Sequence, residues 1–258
     1  MSRFIFGLLL LVSSSSFAFD HTHAQWDGWL KKYAKVDGPV TTVDYAAAKQ
    51  KPDSLKSYTQ SLEQVTRPEF DKWTDPQKMA FLINVYNSHT VALITEHYPV
   101  KSIKDLGGIF SSPWKKEFFR LFGEEHHLDY VEHDLLRKLW SEPRVHFAVN
   151  CASKGCPALR GEAFVATKLE AQLEDGAVKF LSDKSRNRYS EKDNKLFLSK
   201  IFDWYGGDFV KKAGSVQSFV APRIAAGALQ AKAAKADVAF LDYDWSLNDS
   251  GGRAGASK

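Results

Sequence analysis

The chain has 258 residues, 44% hydrophobic and 13% aromatic with seven Trp, a composition that fits a packed globular body and excludes a disordered one. Its 35 Lys and Arg against 31 Asp and Glu leave a formal charge of +4. The charges are interspersed along the chain, so neither nucleic acid nor an anionic membrane is indicated as a partner.

Met1 to Arg3 make a positive start, Phe4 to Val12 are nearly all apolar, and Ser16-Phe17-Ala18 is a small-x-small ending fit for signal peptidase. Residues 1–18 therefore read as a secretory signal cleaved near Ala18. The apolar run falls well short of the roughly 20 residues that span a bilayer, and no later segment approaches that length, so no integral membrane segment is expected. No cysteine follows the cleavage site, which argues against a lipoprotein anchor. An exported protein of a Gram-negative periplasm is the expectation.

In chain order, Trp26, Trp29, Leu30 and Tyr33 mark one face of a helix that Asp37-Gly38-Pro39 stops. A second helix runs through Leu55 to Val65. Asp75-Pro76 opens the longest helix, which Tyr98-Pro99 closes after His97. Phe81, Leu82, Ile83, Val85, Tyr86, Val91 and Ile94 leave it little polar circumference, which puts it at the centre of the core. Asn84 and Asn87 interrupt that apolar surface. Each either ties the helix to neighbouring backbone or lines a site.

Ser102 to Trp114 reads as a loop, and Glu125 to Leu128 as a short strand. Asp129 is the expected cap of a helix from Tyr130 to Trp140. Val145 to Asn150 reads as a strand leading to Cys151. An amphipathic helix follows over residues 167–181, then a hairpin of Asn187–Tyr189 and Lys195–Leu198. Ile201 to Phe209 and Val216 to Ala228 are helical, and Val238 to Trp245 alternates like a last strand. With no regular strand–helix alternation, the expected class is α+β, a mostly helical single domain around a small, largely antiparallel sheet. It divides into an N-terminal helical segment over 19–69, a core over 70–246 and a disordered tail over 247–258.

The chain's two cysteines, Cys151 and Cys156, can close a disulfide in an oxidising compartment, or Cys151 can act as a nucleophile. On a strand, His146 and Cys151 point to opposite faces and sit roughly 16 Å apart, which favours a core role for His146. His133 lies on a different element and is the better candidate base, with Glu132, Asn84 or Asn87 to orient it. Ala152-Ser153-Lys154-Gly155 offers polar groups to a substrate. The histidines show no recognised metal spacing, so neither metal nor cofactor is indicated.

The segments Ala80-Phe-Leu-Ile-Asn-Val-Tyr-Asn87, Val131-Glu-His-Asp-Leu-Leu-Arg137, the run from His146 to Arg160 and Leu198-Ser-Lys-Ile-Phe-Asp-Trp-Tyr205 resemble the successive signatures of domain-of-unknown-function family 547. The resemblance covers residues 70 to 210, and Tyr243-Asp-Trp-Ser-Leu247 resembles the way bacterial members finish. It implies shared positions at Glu132, His133, Asn84, Asn87 and Cys151. Plant members keep a residue like Cys151 without one like Cys156, which implies a thiol-dependent site over an obligatory disulfide. By analogy the fold has a distant relation to papain-like or transglutaminase-like enzymes.

Two functions result. The first is a periplasmic hydrolase or acyltransferase on an amide or thioester, with Cys151 as nucleophile, His133 as base, Glu132 or Asn84 as orienter, and Asn87, Ser153, Lys154 and His146 touching a peptide or amide substrate. The second is a non-catalytic envelope binding domain shaped by a Cys151–Cys156 disulfide. Thiol redox exchange is a third. Oligomeric state is not encoded in these patterns.

Overall fold

A computed structural model describes residues 18–108 and 111–251. The signal-peptide segment, except for Ala18, and the tail beyond Gly251 lie outside the described residues. The chain begins with α1 (Ala24–Tyr33), whose Trp26, Trp29, Leu30 and Tyr33 are all buried, and turns through a hairpin of β1 (Ala34–Asp37) and β2 (Val40–Val43). Gly38 takes the left-handed conformation this tight turn needs, with φ 56°. Three helices follow, α2 (Tyr45–Gln50), α3 (Asp53–Glu63) and α4 (Arg67–Asp71).

The axis of the molecule is α5 (Asp75–His97), a 23-residue helix opened by a capping box between Thr74 and Gln77. Its residues from Met79 to Val91 are buried without interruption, so the helix is enclosed on every side. Around it pack the N-terminal helices, β3 (Phe119–Leu121) and β4 (Glu124–His126). A π-helix over Tyr130–Leu136 then runs into α6 (Arg137–Leu139). After the cysteine loop come α7 (Leu169–Ser182), β5 (Arg188–Ser190) and β6 (Lys195–Leu198), and α8 (Ile201–Trp204). The chain closes with α9 (Gly206–Ala213), α10 (Val216–Ile224), α11 (Ala228–Ala233) and β7 (Asp237–Phe240).

The class is α+β and mostly helical. The sheet is split into the β1–β2 and β3–β4 hairpins and a three-stranded sheet in which β6 pairs antiparallel with β5 and parallel with β7. The core is likewise double: one cluster surrounds α5, and a second joins α7 to α10 through Phe180, Phe202, Phe209 and Phe219. The segment before the cysteines threads between them, with Val145, Ala148 and Val149 in the first cluster and Phe147 in the second.

That segment differs from its expected form. Pro143–Phe147 is a 3₁₀ turn, begun by Pro143 and capped by Glu142, whose Oε1 accepts the Arg144 N–H. All six residues from Val145 to Asn150 are buried, so no in–out alternation exists to be read. The helix expected over Ile201–Phe209 is broken into α8 and α9 at Tyr205. Residues 247–251 of the expected tail are described, and their first two are packed. Leu247 and Asn248 are buried, the Leu247 N–H donates to Lys101 O at 2.8 Å, and the Asn248 N–H donates to Ala152 O at 3.0 Å.

His89, buried in α5, stacks on Phe119 at 4.1 Å while its Nε2 has no partner among the described residues. Burial lowers its pKa from 6.5 to about 3. A base whose pKa falls on folding contributes fully above its unfolded value and loses that contribution as pH falls towards the folded value. Between pH 6.5 and pH 5 the loss from His89 is about 2 kcal/mol. His89→Phe keeps the ring stack and removes the titration, so urea unfolding of the variant is expected to show a correspondingly shallower fall in stability over that interval.

Candidate functional site

The site is hung from two amides of α5. Asn84 Nδ2 donates to Phe164 O at 2.8 Å and its Oδ1 accepts the Phe164 N–H at 3.1 Å. One turn on, Asn87 Nδ2 donates to Ala148 O at 2.9 Å and its Oδ1 accepts the Asn150 N–H at 2.8 Å. Each asparagine thus pairs with backbone as a strand would, which satisfies groups that would otherwise be buried unbonded. Asn150 continues the series: its Nδ2 donates to Pro157 O at 2.7 Å and its Oδ1 accepts the Ala152 N–H at 2.9 Å. The cysteine loop is held at both ends by this chain of amides. Inside it, Ala152 adopts φ 60°, a left-handed conformation that costs a non-glycine residue roughly 1–2 kcal/mol.

Cys151 and Cys156 are joined as a disulfide, with their Cα atoms 6.3 Å apart. Polar groups converge on both sulfurs. The Cys151 N–H donates to Cys156 Sγ at 2.9 Å. The Ser153 hydroxyl stands 3.2 Å from Cys151 Sγ and 3.4 Å from Cys156 Sγ, and the Tyr243 hydroxyl stands 3.4 and 3.1 Å from the same two atoms. Cys156 is buried, whereas Cys151 keeps partial exposure. Arg186 anchors the loop from behind, donating to Cys156 O and to Pro39 O.

Cys151 opens onto a cavity of about 240 Å³ walled by Tyr86, Trp114, Trp204, Tyr205, Tyr243 and Trp245. Asp129, Glu132 and His146 supply its ionisable lining. Glu132 projects from the π-helix, a geometry that often marks functional sites. His146 is clamped: Nε2 lies 2.8 Å from Asp208 Oδ2, Nδ1 lies 3.6 Å from Glu132 Oε1, and Tyr205 stacks on the ring at 3.9 Å. With Nε2–H given to Asp208, Nδ1 is the nitrogen left without a hydrogen bond.

The charges follow from these contacts. Burial works to raise the Glu132 pKa, but the adjacent imidazole of His146, with the Tyr205 hydroxyl, holds it below the usual value. Asp208 is held well below the carboxylate range by His146, against the cost of burial, and by Arg137, which grips both its oxygens. Asp129 goes the other way, raised by burial despite His133 nearby. Asp129 does not cap its helix; the Tyr130 N–H is taken by His127 Nδ1 at 3.1 Å, which leaves the aspartate facing the cavity.

Of the residues singled out in the sequence, Cys151, Cys156, Glu132 and His146 line this one cavity. His133 does not: it accepts a hydrogen bond from Arg137 at 2.7 Å and lies 3.8 Å from Asp129, behind that lining residue and not in the lining itself. Strand alternation had set His146 aside, and the 3₁₀ turn removes that objection. Asn84 and Asn87 spend their amides on backbone. Ser153 meets the sulfurs, while exposed Lys154 engages Ser246 O through its main-chain N–H. Sequence reasoning missed Asp208, Tyr205 and Tyr243. The two tyrosines sit in quoted motifs, but nothing local marks Asp208. Among the described residues no cluster of three or more His, Cys, Asp or Glu could hold a metal ion, and no helix is long and apolar enough to cross a membrane.

Gly155 lets Tyr243 reach the sulfurs, since a Cβ there would lie 2.9 Å from two atoms of the Tyr243 ring and from Asp244 O. Gly155→Ala is therefore expected to shift Tyr243 off the disulfide and to speed its reduction by dithiothreitol several-fold, followed by thiol titration against time.

No curated protein and no solved structure matches the chain, so the papain-like and transglutaminase-like analogies carry no argument. A family model does match, over residues 70–181, with the description protein of unknown function, DUF547. The matched segment contains α5 with both asparagines, Glu132, His146 and the whole cysteine loop, whereas Tyr205, Asp208 and Tyr243 come from beyond it. Residues 70–181 of the chain thus match the DUF547 family, with the remainder of the chain outside the match.

Proposed function

We propose that the cavity is a thiol-dependent acyl-transfer site, a hydrolase or acyltransferase acting on an amide or thioester in an exported protein. The observation that carries this reading is the shared lining of Cys151, Glu132 and His146, with His146 oriented by Asp208. Nucleophile, imidazole and carboxylate are the recurring parts of such sites on unrelated folds. His146 takes the role first expected of His133, and Asp208 that of the orienter.

The working form is reduced. A dithiol, of the kind carried by thioredoxin-like proteins, supplies two electrons and two protons to the Cys151–Cys156 bond and leaves as its own disulfide. The Cys151 thiolate, solvated by the Ser153 and Tyr243 hydroxyls, attacks the acyl carbon. An S–C bond forms, and the C–N or C–S bond to the leaving group breaks as the imidazolium of His146 protonates it. Water then gives a proton to His146 and adds to the thioester, which releases the carboxylate and restores the thiolate. In acyl transfer an amine or thiol replaces the water.

The disulfide itself favours a second reading, a binding domain whose loop is closed by Cys151–Cys156. A ring this short would stabilise on the order of 2 kcal/mol. Reduction separates the two: it should switch on acyl transfer in the first and only weaken the fold in the second.

For the acyl-transfer reading, iodoacetamide is expected to label Cys151 of the folded, reduced protein ahead of Cys156, read by peptide mass. Cys151→Ala should abolish turnover of amide or thioester substrates, and His146→Ala should lower it by about 10²–10⁴-fold. A reduced, folded protein whose Cys151 resists alkylation would rule the reading out.

A further inference from the structure

The same cavity has a chemical preference that the acyl-transfer reading leaves open. Its lining holds two carboxylates, Asp129 and Glu132, one imidazole and no Lys or Arg among the described residues. Glu132 is buried, and Asp129 is half-shielded with its nearest basic group, His133 Nε2, at 3.8 Å, outside hydrogen-bond range. Removing carboxylates from water without matched cations is costly, and burial shows that cost by raising the Asp129 pKa. His146 Nδ1, on a ring buried to 2% exposure, makes no hydrogen bond and has Glu132 Oε1 beside it at 3.6 Å.

Most of the remaining wall is aromatic, beside Val149, Pro157 and Ile201. Trp204 and Tyr243 lie 4.9 Å apart between centroids, Tyr243 and Trp245 4.6 Å, and Trp114 and Trp245 5.6 Å. Aromatic faces attract cations, most strongly where water is excluded. Trp245 already does so, with Lys104 Nζ, which is not part of the lining, 3.8 Å from its ring centroid. Anions would meet two carboxylates, and a neutral ligand would leave Asp129 without a matched cation. A volume of about 240 Å³ lies below the usual range for drug-sized ligands and suits a single aminoacyl unit.

Building on the acyl-transfer reading, we propose that the cavity binds substrates bearing a protonated amine beside the acyl group, as at the free amino terminus of a peptide, with Asp129 and Glu132 receiving the ammonium and the Trp and Tyr faces enclosing it. The thiolate of Cys151 then meets the adjoining carbonyl. Neither an acetylated amino terminus nor an acidic side chain would be matched at this position.

Binding can be read apart from chemistry in the oxidised, full-length protein, where Cys151 is not a nucleophile. Isothermal titration with L-alaninamide and with N-acetyl-L-alaninamide is expected to show at least a ten-fold tighter Kd for the free amine. Asp129→Asn should erase most of that preference while leaving the acetylated probe unchanged. Trp204→Ala, at a half-exposed position whose change spares the core, should weaken the amine several-fold. Equal binding of the two probes, or a preference that survives Asp129→Asn, would overturn the inference. Turnover by the reduced protein without amine preference also overturns it and leaves acyl transfer standing. Amine preference without any turnover supports it and removes acyl transfer.

Discussion

A buried amide in a helix is a debt until its hydrogen bonds are met, and α5 meets two of them in a way that organises everything around it. Asn84 and Asn87 lie one turn apart on the most enclosed helix of the molecule and each takes both backbone groups of a passing segment. Segments with no helix or strand of their own are thereby given fixed places against the core. The 3₁₀ turn with His146 and the loop with Cys151 enter the cavity only because Asn87 fixes Ala148 and Asn150 between them. Rigidity in the loop is inherited from the helix through hydrogen bonds, since the loop has no ladder of its own.

The cavity is a seam between two hydrophobic clusters, and its chemistry is drawn from both sides. The α5 side contributes Tyr86, Glu132 and Cys151, and the α7–α10 side contributes Ile201, Tyr205 and, through the His146 contact, Asp208. The family segment over 70–181 ends before the second side begins, so the matched region holds the sulfurs and imidazole while the group that orients the imidazole lies outside. The π-helix makes the junction work. Its wider turn carries Glu132 to His146 and leaves His133 to Arg137, although the two residues are neighbours in sequence.

Much of the fold was legible because its signals are local. The Trp26–Tyr33 face, the Thr74–Gln77 capping box and the apolar girth of α5 each declare themselves within one or two turns. The segment from Val145 to Asn150 misleads for a physical reason: it is buried on all sides, and a run of apolar residues without a polar face carries no period. Pro143 and Glu142 were the readable signs of a turn. The site was half legible. Cys151 and Glu132 stand in distinctive motifs, whereas Asp208 is one acidic residue at the start of an amphipathic helix, and its meaning comes entirely from a contact 62 residues away.

The extended stretch after β7 crosses the molecule, pairing Asp249 with Val43 and Leu247 with Ser153. Val43 and Asp249 stand near opposite ends of the described chain, so closing this contact spans almost the whole domain and is among its slowest entropic steps. Tyr243 lies 87 residues beyond Cys156, so its place above the sulfurs depends on this same late-arriving stretch. Once that contact closes, Cys156 is buried under Tyr243, and Cys151 alone keeps an opening, onto the cavity.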